Sequence, residues 1–166
     1  MIVGLISDTH GLLRPEAVAA LVGSEVIVHA GDIGAPSVLD GLRAIAPVVA
    51  VRGNNDRDPW AAAIPERVIT EMGDTRVCVI HEIDALGLDP ARERIAVVVS
   101  GHSHKPHIEH HDGVLFVNPG SAGPRRFSLP IAVARLHLGE DAPRAELVTL
   151  SVAATPPARR KGRRAS

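Results

Sequence analysis

The sequence predicts an α/β (α+β) domain in which two packed β-sheets carry helices on their outer faces. Three observations lead there. Short β-branched runs alternate with helical stretches up to about residue 52, and hairpin signals dominate the chain after Pro65. The third is size: 166 residues, 45% apolar and 22% charged, suit one soluble core that needs no staples.

Ile2–Ile6 is an apolar run stopped by Ser7-Asp8, the pattern of a buried strand. Pro15-Glu16 opens an Ala/Val/Leu helix to about Val22, with Pro suited to the first turn. Glu25–Ala30 reads as a strand ending at Gly31-Asp32, Pro36–Ile45 as a helix, and Val48–Arg52 as a strand ending at Gly53-Asn54. Strands alternating with helices imply parallel crossovers. Arg67–Glu71 and Thr75–Ile80 flank Gly73-Asp74 as a hairpin. A helical piece is expected at Pro90–Arg94, then a strand at Ala96–Ser100. Pro106–His111 and Val114–Asn118 flank Asp112-Gly113 as a second hairpin, and Ile131–His137 and Glu146–Val152 complete the set. The first half is expected to be mixed and the second largely antiparallel, with one domain over residues 1–155.

Composition removes several functions. No apolar run reaches the roughly 18–20 residues that span a bilayer. The apolar start has no basic region before it, so it does not read as a signal peptide. A lone Cys78 cannot form an internal disulfide, which fits a reducing cytoplasm. Trp60, Phe116 and Phe127 are the only aromatics, too few for a base-stacking nucleic-acid reader. The net charge of −1 is uneven: Arg159, Arg160, Lys161, Arg163 and Arg164 crowd the end, and the rest holds 13 basic against 19 acidic residues. Residues 156–166 therefore read as a disordered basic tail on an acidic body. Nucleic acid is disfavoured as a partner, because a binding groove would carry its basic stripe on the fold itself.

Nine histidines demand an explanation. Asp, Asn and His gather where predicted strands end: Asp8-Thr9-His10, Gly31-Asp32, Gly53-Asn54-Asn55-Asp56, His81 and Gly101-His102-Ser103-His104. In α/β sheets those ends open into the ligand crevice. Two carboxylates, one amide and four imidazoles suit Mn, Fe, Zn, Ni or Co better than Ca or Cu(I). Seven ligands exceed one tetrahedral zinc and suit two ions sharing a carboxylate. Asp8 and His10, like His102 and His104, lie two apart and are expected to share one side of an extended segment. Glycines 31, 53 and 101 are expected to allow close approach to a ligand. Alone, Asp8 or Asp32 could be a turn cap and His81 a strand-end histidine; the series is what singles them out.

These blocks, with Lys105-Pro106 and the later Asn118-Pro119-Gly120-Ser121, resemble the calcineurin-like metallophosphoesterases, specifically the small prokaryotic phosphodiesterase branch, over residues 1 to about 137. The resemblance implies a four-layer αββα sandwich of two mixed sheets flanked by helices. It implies two divalent ions, manganese first among the candidates, with Ni, Zn, Fe and Co as alternatives. Asp8, His10 and His104 would hold one and Asn54, His81 and His102 the other, with Asp32 bridging. A hydroxide between the ions would then attack a small phosphodiester in line. The family also allows a homodimer.

Asn55 is a departure, because many members place a histidine there to protonate the leaving group. An amide cannot deliver that proton, though it can hydrogen-bond a phosphate oxygen. Asn55 is thus a candidate for both catalysis and substrate binding, and Asp56 a candidate to orient a ligand histidine. Arg125, or its neighbour Arg126, is a candidate phosphate clamp, and Ser121 with its glycines either an anion nest or a structural turn. His29 reads as a hydrogen-bonded core group; His107, His110 and His111 read as surface residues, and His137 carries no assigned role. A partner-binding scaffold of the same fold, or a nuclease using the basic tail, are the competing functions. The first would show lost ligands, and every metal position here is filled.

Overall fold

The computed structural model describes residues 1–153; the basic tail lies outside the described residues. Ten strands form two mixed sheets. In the first sheet β1 (Ile2–Ile6) is central and pairs parallel with β2 (Val26–His29), which pairs parallel with β3 (Val48–Ala50). On its other side β9 (Ala132–His137) runs antiparallel, followed by β10 (Arg144–Thr149) at the edge. The second sheet has the order β4 (Arg67–Met72), β5 (Thr75–Ile80), β6 (Val97–Val99), β8 (Val114–Asn118), β7 (His107–His111). Its two hairpins are antiparallel, but β5, β6 and β8 are parallel. The first half of the chain is mixed as expected, and the second is antiparallel apart from β6, which pairs parallel with β5 and β8. The chain's last two strands return to the first sheet, and both sheets are mixed.

Alternation along the strands sorts the core. Val3 and Leu5 of β1 face the second sheet, where they meet Val77, Val79, Val97, Val99, Leu115 and Val117. Ile6 faces outward onto Ala17 and Leu21 of α1 (Pro15–Leu21) and Val38, Leu39 and Leu42 of α2 (Pro36–Arg43). Each helix opens on the expected proline, whose missing N–H falls where a helix has no acceptor for it. The outer face of the second sheet is covered differently. Cys78, Ile80 and Val98 lie under Leu86 and Ile95, which belong to a connecting segment with one short 3-10 turn (Ile83–Ala85). The fourth layer is thus loop and turn, not helix. The helix expected at Pro90–Arg94 is replaced by turns. Asp89 Oδ1 accepts the N–H groups of Ala91 and Arg92, and Arg94 at φ 57° ends the winding after one turn, too short to propagate. Among the described residues no helix is long and apolar enough to cross a membrane.

This architecture brings five carboxyl strand ends to one rim. In register, Ile6 lies opposite His29, and Val79, Val99 and Val117 lie side by side in the other sheet. His29 locks the first two ends together. Gly31 N–H donates to its Nδ1 at 3.1 Å, so the proton sits on Nε2, 2.9 Å from Thr9 Oγ1, which donates in turn to Ile33 O at 2.8 Å. This is the core role its position inside a strand predicts.

Burial, opposed by the charges of Asp8 and Asp56, lowers the His29 pKa from 6.5 to about 4. A base whose folded pKa is depressed contributes stability that is complete above its unfolded value and is lost as pH falls between the two. The expected loss is about 3 kcal/mol between pH 6.5 and 4. Urea unfolding across that range should show His29→Gln less stable than wild type near pH 7 but with a visibly flatter pH dependence. Parallel profiles would contradict this account of His29.

Candidate metal centre

The turns that follow the strands adopt an unusual backbone. Asp8, His10, Asp32, His102 and His104 all have positive φ, between 46° and 69°. Asp and His tolerate the left-handed region better than most residues, yet each such residue costs roughly 1–2 kcal/mol. The expectation of an extended Asp-x-His segment is corrected: each pair converges through alternating left-handed residues, not through a strand's two-residue repeat. Three backbone hydrogen bonds hold the first turn against the second, from Asp8 N to Gly31 O, His10 N to Asp32 O and Gly11 N to Ile33 O, at 2.8–3.0 Å. From the other sheet, Gly101 N bonds His81 O at 3.0 Å and His102 N bonds Asp8 Oδ2 at 3.1 Å.

Two glycines make this density feasible. A Cβ on Gly53 would strike the Asp32 carboxylate and backbone, and one on Gly101 would strike Ser7 Oγ and lie 2.8 Å from Asp8 Oδ2. These glycines let the backbone approach the site's own carboxylates.

Two groups of side chains can each hold a metal ion: Asp8 with His10 and His104, and Asp8 with Asp32 and His81. Asp8 Oδ1 lies 3.3 Å from His104 Nε2, 4.0 Å from His10 Nε2 and 3.9 Å from His81 Nε2. Asp32 Oδ2 lies 3.4 Å from His81 Nε2 and 3.8 Å from His10 Nε2. Asn54 Oδ1 is 3.1 Å from His81 Nε2 and 3.2 Å from His102 Nδ1, which brings the remaining two predicted ligands to the same place. All seven predicted ligand residues therefore meet, with both carboxylates between the histidines.

The donor set fits a divalent cation. Asp8 is fully buried, and its Oδ2 is served by Ser7 Oγ at 2.7 Å, but its Oδ1 has no hydrogen-bond partner. A buried carboxylate oxygen left unpaired is costly unless a cation sits within reach. His81 donates Nδ1–H to Ala30 O at 2.7 Å, which turns the Nε2 lone pair toward Asp32, Asn54 and Asp8. A lone pair facing three oxygen acceptors needs a proton or a metal between them. Burial would lower the His81 pKa, but its bonds to Asp32 and Ala30 O and the neighbouring carboxylates prevail and raise it. Burial would likewise raise Asp32, yet His81 and Asn55 hold its carboxyl well below the usual range. For His10 burial dominates and lowers the pKa against Asp32 and Asp8.

The residues expected to act around the metals are placed otherwise. Asp56 is buried and accepts Ile33 N, Gly34 N and Gly53 N at 2.8–3.0 Å. Its carboxylate fastens the second and third turns and hydrogen-bonds no described histidine, which corrects its expected role. Asn55 donates its backbone N–H to Asp32 Oδ1 at 2.9 Å and its amide to Oδ2 at 2.8 Å, so its side chain is turned to Asp32 instead of standing free for phosphate. Arg125 reaches Leu129 O, whereas the charge of Arg126 acts on His10. Ser121 Oγ donates to Asp8 O and accepts Gly123 N, which is the structural turn and not an anion nest. His107, His110 and His111 are exposed, and Cys78 is buried with its thiol pushed up by burial. Sequence reasoning missed Ser7 and Glu82, whose Oε1 lies 3.8 Å from His102 Nδ1; only their adjacency to ligand positions could have marked them. A cavity of about 430 Å³ opens beside Asn54 and His81, walled by Arg52, Glu66, Arg67 and Glu82.

Fold and site together define a two-sheet domain whose strand ends gather residues able to hold metal ions. Residues 1–141 match the calcineurin-like phosphoesterase superfamily domain, and the chain belongs to that family. It is 36% identical over 145 residues to a "Probable metallophosphoesterase" of Methanothermobacter thermautotrophicus, covering 78% of this chain and 82% of that protein. It is 29% identical over 138 residues to a phosphodiesterase of Methanocaldococcus jannaschii, covering 72% and 83%. Among solved structures, an archaeal phosphodiesterase superposes with a TM-score of 0.75 at 23% identity, covering 89% of this chain and all (100%) of that one. Zinc-bound Vps29 from Entamoeba histolytica superposes at 0.68 and 20% identity, covering 90% and 99%. At those identities the two superpositions establish the fold.

The packing at Gly101 yields a direct expectation. Gly101→Ala should weaken Mn²⁺ binding, read by titration calorimetry, by at least about tenfold, because the added methyl displaces Ser7 and Asp8. Gly139→Ala, where a Cβ meets nothing within 4 Å, should bind as wild type does.

Proposed function

We propose that the chain is a phosphodiesterase that depends on two divalent metal ions. The observation that carries this reading is the buried, unpartnered Asp8 Oδ1 among the Nε2 atoms of His10, His81 and His104. In this reading Asp8, His10 and His104 hold one ion, Asn54, His81 and His102 the other, and Asp32 lies between them. Manganese is the first candidate, with Ni, Zn, Fe and Co as alternatives. Bound together, two such ions supply Lewis acidity: they make hydroxide available near neutral pH and neutralise charge developing on a phosphoryl group during in-line displacement.

The chain's own residues set the conditions for that chemistry. Ser7 and His102 N–H fix Asp8 Oδ2, so its second oxygen is committed to the metal side. Asn55 keeps Asp32 ionised and oriented through two donated hydrogen bonds. His81 is held in its tautomer by Ala30 O. With Asn55 engaged in this way, no imidazole stands at its position to protonate a leaving group, and esters with good leaving groups are favoured. The cavity beside Asn54 and His81 offers room for the second organic arm that distinguishes a diester from a monoester. The phosphodiesterase of Methanocaldococcus jannaschii supports the same substrate class. Filled ligand positions favour catalysis over a purely scaffolding role.

The test is an assay of each metal on an aryl phosphodiester and its monoester. The diester should be preferred, and Asp32→Ala and His102→Ala should each lose at least about a hundredfold in kcat/KM. Wild-type activity in either variant would overturn the assignment. Asn55→His should flatten the dependence of rate on leaving-group pKa; an unchanged dependence would refute the account of leaving-group protonation.

A further inference from the structure

Phe127 is placed at odds with every local preference. It is one of only three aromatic residues, and the other two, Trp60 and Phe116, pack against the cores. Phe127 is 93% exposed and has φ 52°, a conformation that a bulky side chain adopts only under constraint. The turn bearing it is closed by hydrogen bonds. Leu129 N bonds Arg126 O at 3.1 Å, and Arg125 reaches Leu129 O. Such a turn presents a ring to solvent at a cost in both hydration and backbone energy, and it follows a segment packed on the Asp8–Thr9 turn. Gly123 is pressed against Asp8 and Thr9, since a Cβ there would lie 2.5 Å from their carbonyl oxygens, and Arg14 clamps Gly123 O at 3.2 and 3.3 Å. Phe127 is four steps along the chain from Gly123, a reach of no more than about 14 Å. Arg126 lies between them in the chain and makes no side-chain hydrogen bond among the described residues. Leu12, two residues past His10, adds a second exposed apolar side chain on that flank.

Resting on the phosphodiesterase reading, we infer that the Arg126–Phe127 turn is the recognition element for one arm of the substrate. Phe127 stacks on a planar aromatic ring carried by the phosphate ester, and Arg126 pairs with a phosphate oxygen. This flank adjoins the Asp8–Thr9 turn, whereas the cavity for the other arm opens at Asn54 and His81, so the two arms of a diester leave the metals on different sides. An aromatic platform explains what an exposed, strained phenyl ring does here, and a guanidinium next to it supplies the matching anion contact.

Binding of ring-bearing and ringless phosphates to the Mn²⁺-loaded protein tests this by calorimetry. Adenosine monophosphate is compared with ribose 5-phosphate, and phenyl phosphate with methyl phosphate. Wild type should favour the ring-bearing member of at least one pair by roughly tenfold. A preference in the first pair only assigns a nucleobase, and in the second only an aryl ester. Phe127→Ala should bring that ratio close to one and Phe127→Trp should keep it. Arg126→Gln should weaken both members of a pair equally. An unchanged ratio in Phe127→Ala, or no preference in either pair for wild type, overturns the inference. Because the readout is binding, it is separate from the diesterase assay: a protein that stacks rings but hydrolyses no diester would refute the parent reading alone.

Discussion

The whole structure is arranged around two carboxylates held where water cannot reach them freely. Asp8 is fully buried and Asp32 nearly so, at 2% exposure, and their nearest groups are histidine nitrogens. Removing a carboxylate from water is among the most expensive steps in folding, and it persists only where donors or cations compensate. For Asp32 the compensation is visible in Asn55, which donates twice, and in His81. For Asp8 it is incomplete, since Oδ1 makes no hydrogen bond and its neighbours are histidine nitrogens at 3.3–4.0 Å. The difference between the two carboxylates defines what the site lacks: positive charge at a point bounded by Asp8, His10, His81 and His104.

The two sheets exist in a form that serves this point. Parallel pairing of β1 with β2 and of β5 with β6 places the ends of all four at the same level. The valine-rich layer between the sheets fixes how far apart those ends stand, because a close-packed interior tolerates little sliding. Second-layer groups then tie the ends together: His29 links Thr9 and Gly31, while Asp56 links Ile33, Gly34 and Gly53. Asn118 continues the pattern in the other sheet by donating to Gly101 O at 2.9 Å and Ser103 Oγ at 3.1 Å. The ligands sit on turns, but on turns whose own backbone groups are bonded across strands.

Much of this was legible in the residues alone, for a physical reason. Strand ends such as Ile6-Ser7-Asp8 and Ser100-Gly101-His102 change abruptly from apolar to ligating, so Asp8, Asp32, His81, His102 and His104 announce themselves in one dimension. What stayed hidden depends on contacts between segments distant in sequence. Nothing local shows that Asp56 would be consumed by amides 22 and 23 residues away, or that Asn55 would turn onto Asp32. The left-handed turns at Asp8 and His10 were read as extended because spacing by two has an obvious strand interpretation. The covering of the second sheet by the segment around Leu86 and Ile95 was also missed, since a short Pro-Ala-Arg-Glu-Arg stretch reads as helix until Asp89 captures its amides.

Strain and ligation coincide residue by residue, and this bears on why the site takes these residues and no others. Of the eight non-glycine residues with positive φ among those described, five are the ligand candidates Asp8, His10, Asp32, His102 and His104. If the turns were needed only to connect strands, glycine would serve at each with no steric penalty, as it does at Gly31 and Gly34. Side chains retained at such positions therefore repay their conformational cost through something the backbone does not supply. Here that return is the convergence of carboxylate and imidazole atoms on one point. A metal ion binding this arrangement meets ligands already placed, so little ordering entropy opposes it, and the energy it releases is available to hold the turns in their unfavourable conformation. On the proposed metal-dependent reading, folding and metal binding would be linked at this rim, with the sheets supplying the rigidity against which the strained turns are held.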